Sequence, residues 1–276
     1  TWANTGTALW NWVSAVKFSP AFATDRTITA IASLVAAPAG GGAGDMILSQ
    51  RSGAGAWAAS VSNGLLGNGS VLVDVAGDAD TATDTSDLPV AVAGRTVPYG
   101  TIVYPDDWSL TNNIVFAGTN GSNAAVVPAT DDVYEVFFLA ASVVLDRNAS
   151  GAGTATSVAS LALSGNAATA RLWVGAQSVN AANAAAVVRY SANSGTTWAA
   201  ASKQPTGGGG AGSGSTVAVA LGSDFSTSGT VYAATAGADN TTTGSAIAAA
   251  TPLDESGFSV ATGDTIFNQI SLIDTP

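Results

Sequence analysis

The chain of 276 residues contains no cysteine and no histidine. Without cysteine there is no disulfide, no thiolate nucleophile and no cysteine-ligated metal, and the redox compartment stays open. Without histidine the commonest general base and the commonest transition-metal ligand are both missing. Charge is scarce as well. Only 10% of residues are charged, with eight Lys and Arg against nineteen Asp and Glu, a net charge of −11. No basic cluster exists to neutralise phosphates, so nucleic acid and anionic membrane are poor partners. No apolar run approaches the ~18 residues needed to insert across a bilayer as a helix. The N-terminus lacks the charged start and apolar core of a signal peptide, and Thr1 in place of Met points to a processed chain or an excerpt.

What the chain does have is Ala, Val, Gly, Ser and Thr in a recurring order. Val217–Thr235 reads as an alternating apolar strand (Val217, Val219, Leu221), a polar corner and a second alternating strand. The apolar residues Val231 and Ala233 follow the corner residue Phe225. At the same offsets, Ile28 and Ala30 follow Phe22, Ile114 and Phe116 follow Trp108, and Leu172 and Val174 follow Asn166. The interval from Phe22 to Trp108 is longer than the other two, which marks an insertion.

The frame predicts an all-β fold: a β-propeller-like array of about four four-stranded antiparallel blades, favoured over a row of sandwiches. It is a single domain over 1–276, with units 9–61 (insertion 62–98), 99–150, 156–205 and 215–265. Strands are expected at Val13–Phe18, Ile28–Val35, Met46–Ser49 and Trp57–Val61 in the first unit. The second unit takes Thr101–Tyr104, Ile114–Ala117, Val133–Phe138 and Ser142–Leu145. The third takes Val158–Leu163, Leu172–Ala176, Ala184–Tyr190 and Trp198–Ser202. In the fourth, Ser245–Ala250 and Phe258–Ala261 complete the opening hairpin. Residues 266–276 are expected to close the array or to enter a next blade. No stretch carries a helical apolar period, and Gly, Thr and Val flanking the Ala-rich runs argue for strands there.

One segment carries a recognisable turn. In Ser191-Ala-Asn193-Ser-Gly195-Thr-Thr-Trp198, the Asn side chain is placed to bond the turn backbone, Gly195 to take positive φ, and Trp198 to pin the turn to the core. This segment resembles the Asp-box (BNR) repeat of sialidase-like and sortilin-like β-propellers, with Asn in place of Asp. Ser49-Gln-Arg-Ser-Gly53 with Trp57 is a looser echo. The corner SPAFATDRT (19–27) is similar to segments accompanying such blades in bacterial cell-surface proteins. In that family the box is a structural turn, so the resemblance implies a fold and no activity. A sialidase would need an arginine triad, a Tyr–Glu nucleophile pair and an acid. Here the six Arg are scattered, and Tyr134 and Glu135 are neighbours on one strand and point to opposite faces. No catalytic residue is assigned.

Other candidates stand beside bland readings. Asp78, Asp80 and Asp84, with Asp74 and Asp87, are weak calcium candidates in an acidic loop that lacks a regular ligand frame. No other cofactor is expected. The Gly-rich stretches at 40–44 and 207–214 lack the Lys and the helix of a phosphate cradle. Asn68, Asn120, Asn148 and Asn240 begin glycosylation sequons in expected loops. Trp2, Trp10 and Trp12 crowd the N-terminus and are interface candidates. Together these features suggest an extracellular or cell-surface structural protein that self-assembles into a layer or filament as a homo-oligomer or polymer. A carbohydrate- or ligand-binding propeller is the alternative, and an Asp-box glycosidase a third reading.

Overall fold

The computed structural model describes residues 10–34, 46–53, 57, 69–73, 99–120, 132–138, 143–147, 149, 158–176, 188–201, 216–236 and 266–271. They form antiparallel β-sheets whose strands follow one another in chain order, each paired with the last. Sheet one is β1 (Trp10–Phe18), β2 (Ile28–Leu34), β3 (Met46–Arg51) and β4 (Gly69–Val73). Sheet two is β5 (Tyr99–Val103), β6 (Ile114–Asn120), β7 (Val133–Phe137) and β8 (Val143–Asp146). Sheet three is β9 (Val158–Ser164), β10 (Arg171–Ala176), β11 (Val188–Ser191) and β12 (Ala199–Ala200). Sheet four is β13 (Thr216–Leu221), β14 (Thr230–Ala236) and β15 (Ile266–Ser271).

Two boundaries differ from the sequence frame. The fourth strand of sheet one is Gly69–Val73, inside the expected insertion, and pairs with β3 through Ile47–Val71 and Leu48–Ser70. Trp57, expected to start that strand, lies outside any strand. Residues 266–271, expected to close the array or enter a next blade, pair with β14 as the third described strand of sheet four, from Thr230–Ser271 to Thr235–Ile266. In both cases the period-two pattern is present, but several segments offer it and pairing register alone selects the partner. The expected strands at 245–250 and 258–261 lie outside the described residues.

The sheets pack face to face in sequence order. Ile31 and Leu48 of sheet one meet Ile102, Val115, Ala117, Tyr134 and Val136 of sheet two. Phe116 and Val133 of sheet two meet Leu161, Leu172 and Val174 of sheet three. Trp173 and Val188 of sheet three meet Val217, Val231 and Ala233 of sheet four. Strands β6 and β10 are thus buried on both faces, with odd and even residues feeding different joints. The first strands line up along the array, β5 against β1 and β9, and β9 against β13.

The joints expose a one-residue slip in the sequence frame. Leu172, Val174, Val231 and Ala233 face the preceding sheet, but in unit two that role falls to Val115 and Ala117, while Phe116 faces the following sheet. The corners explain it. Units one and four share a single helical turn between their first two strands, α1 (Phe22–Asp25) and α2 (Phe225–Ser228). Both corners close with the same bonds: Ser19 N to Thr27 O matches Gly222 N to Thr230 O, and Arg26 N to Phe22 O matches Gly229 N to Phe225 O. Arg26 and Gly229, at φ 53 and 64, occupy the same left-handed position. Unit two has no helical turn. It folds back through Pro105–Trp108 and Ser109–Asn112 instead, so its second strand enters one residue out of phase and every side chain changes face.

Candidate functional site

The Asp-box-like turn is built around one hydroxyl and one amide. Ser191 Oγ accepts from Gly195 N (2.8 Å) and donates to Asn193 Oδ1 (2.9 Å). Asn193 Oδ1 also accepts from Thr197 N (2.9 Å), and its Nδ2 donates to Thr197 Oγ1 (2.9 Å). Gly195 has φ 80, where a side chain would be strained. The turn is stitched on two sides. Ser194 Oγ donates to Ala167 O and accepts from Ala170 N, tying it to its own unit's corner. Trp198 Nε1 donates to Arg147 O in the neighbouring unit at 2.6 Å. The looser copy makes related bonds with Arg26 and Thr27 of corner one: Gly53, at φ 59, donates through N to Arg26 O, and Ser52 Oγ bonds Thr27 Oγ1.

Tyr134 and Glu135 face opposite joints. Tyr134 packs with sheet one in the first joint. Glu135, paired across the sheet with Phe116, lies on the side of sheet three and is only 4% exposed. Arg147 Nη2 donates to its Oε2. The Arg147 side chain lies beside Gly195, where a Cβ would stand 3.0 Å from it, and burial holds its pKa below the ordinary guanidinium value. A buried carboxylate matched to a partly buried guanidinium is a structural pair, and leaving either partner alone would strand a charge.

A second polar cluster seals sheet one to sheet two. Thr29 Oγ1 bonds Tyr104 OH, Gln50 Nε2 donates to Thr29 Oγ1 and to Asn113 Oδ1 (3.1 Å each), and Trp108 Nε1 donates to Asn113 Oδ1 (3.0 Å). Burial raises the Tyr104 phenol to about 12; the Thr29 bond opposes this and the charge of Asp25 adds to it. Carboxylates latch corners. Asp25 accepts from Ser19 Oγ and Thr27 N within corner one. Asp106 and Asp107 of corner two accept from Gly165 N and Ala167 N of corner three. Asp25 caps its corner as its position in the turn suggests, whereas the latch between corners two and three escapes sequence reasoning. Its signal is the placement of Asp106-Asp107 directly before the corner residue Trp108.

The remaining candidates are dispersed. Trp10 and Trp12 are on β1, opposite Leu34 and Ser33. Trp2, the acidic loop with Asp78, Asp80 and Asp84, and the sequons at Asn68, Asn148 and Asn240 lie outside the described residues. Asn120, expected in a loop, is the last residue of β6 and only 2% exposed. A glycan cannot be carried on a side chain packed inside the folded sheet. Among the described residues no helix is long and apolar enough to cross a membrane, and no three acidic side chains gather.

No protein-family model, curated protein or solved structure matches the chain.

Proposed function

We propose that the chain is an extracellular structural protein whose sheets are blades of a propeller-type array, and that it self-assembles into a cell-surface layer or filament. The observation that carries this reading is the placement of the reactive side chains. Tyr104 and Tyr134 are engaged with sheet one, and the buried Glu135 is matched to Arg147 of its own unit. The lining-up of the first strands of the successive sheets supports the propeller arrangement. Electron microscopy of the purified protein tests the reading: filaments or sheets are expected. A protein that stays monomeric at high concentration and binds a glycan array saturably would instead support a carbohydrate-binding module. Sialoside turnover abolished by Glu135→Gln would support a glycosidase.

A further inference from the structure

We infer that sheet one is the acceptor half of a head-to-tail joint, and that its occupant is sheet four of a second copy of this chain. This rests on the self-assembly reading and names the surfaces that carry it. At the internal joints each following unit offers its first strand and its corner to the sheet before it. In unit four, Val219 and Leu221 of β13 pack on the core formed with sheet three, and Phe225 of the corner is buried in it. The shared corner hydrogen bonds place Val16, Phe18 and Phe22 of unit one at the positions of Val219, Leu221 and Phe225. Among the described residues no sheet packs on this face of unit one. Val16 and Phe18 are 55% and 56% exposed, and Phe22 packs on Phe18 at 4.6 Å between ring centroids. Ala30 and Ala32, farther into the same face, are buried, so the open ground is the β1 edge and the corner.

Sheet four carries the matching receptor. On sheet three the receiving face is the cross-strand pair Ala162–Trp173, with Phe225 edge-on to the indole at 6.4 Å. Sheet four repeats it as Ala220–Tyr232. Beside it, Ala218–Ala234 stands where sheet three has Ser160–Gly175, the small pair that lets β13 approach. Ala218 and Ala220 are exposed, so the β13 side of sheet four is open, as are the β1 edge and corner of sheet one. The two halves are different surfaces, and a joint between unlike surfaces propagates rather than stopping at a dimer.

The absence of native cysteine makes cross-linking unambiguous. Phe18→Cys and Ala220→Cys single variants, mixed and oxidised, are expected to give a covalent heterodimer well above the homodimer of either alone. The double variant is expected to give a ladder of covalent oligomers. A mixture that cross-links no more than its components overturns the inference, as does a double variant that closes its disulfide within one chain. Phe18→Glu is expected to raise the concentration needed for association at least tenfold, whereas Leu110→Glu, on an exposed corner position of unit two, leaves it unchanged. Filaments that persist unaltered in Phe18→Glu overturn this interface while leaving self-assembly standing. Absence of any assembly in the unmodified protein overturns both.

Discussion

Gly175 is the position where sheet three leaves room for the next unit, and Gly175→Ala tests that closeness. A Cβ there would stand 2.0 Å from Val217 O, 2.6 Å from Ser160 Oγ and 2.8 Å from Val217 C. Ordinary contact needs about 3.5 Å, and the nearest obstacle is backbone, so β10 and β13 must move apart. That movement also pulls on Ser160 Oγ, which donates to Val217 O and accepts from Val219 N, both at 2.8 Å. Overpacking costs about 1–3 kcal/mol, and the two bonds about 1 kcal/mol each. The expected loss is therefore roughly 3–5 kcal/mol, a large share of the total stability of an ordinary domain. Gly118→Ala is the comparison. Its nearest obstacles are side chains, Val158 at 2.4 Å and Thr101 at 2.8 Å, and no such pair of hydrogen bonds is at stake, so the loss should be about 1–3 kcal/mol. Urea denaturation midpoints at constant slope give both numbers. A Gly175→Ala variant within 1 kcal/mol of the parent would refute the close approach of sheets three and four.

Arg26 holds a left-handed conformation that unit four gives to Gly229. Arg26→Gly should raise stability by about 0.5 kcal/mol after the added freedom of the unfolded chain is counted, and Gly229→Ala should lower it by about 1 kcal/mol; thermal melts of both check the signs. The Tyr104 phenol, raised to about 12 in the folded protein, ionises near pH 10 when unfolded. Stability is thus unaffected by this group below pH 10 and falls between pH 10 and 12, by about 2.7 kcal/mol in total. Tyr104→Phe should remove that portion of the alkaline slope, measured by denaturation at stepped pH.

The fold was most legible where corner and strand signals agreed. In unit three the alternation of Leu172, Trp173 and Val174 and the turn Ser191–Trp198 suffice, because each residue's neighbours in sequence are also its neighbours in space. Unit two was legible as strands but not in phase. Ile114 and Val115 are equally apolar, so nothing local tells which one faces sheet one, and the missing helical turn in its corner decides it. Strand β4 was hidden for another reason: its partner β3 lies across a long connection, and Trp57–Val61 offered a nearer apolar run. At the candidate site, the Asn193 turn is local and could be read. The Glu135–Arg147 pair depends on the register of β7 against β8, and the Asp106–Gly165 latch joins residues far apart in sequence that only packing brings together.

The account's central claim is that the corner aromatics Trp108 and Phe225 pack on the sheet before their own, and a double-mutant cycle across the third joint tests it most directly. Trp173 and Phe225 meet edge-on there, both nearly fully buried. Trp173→Leu, Phe225→Leu and the pair, measured by denaturation, should show a coupling of about 0.5–1.5 kcal/mol. Additive effects, with coupling indistinguishable from zero, would contradict the claim.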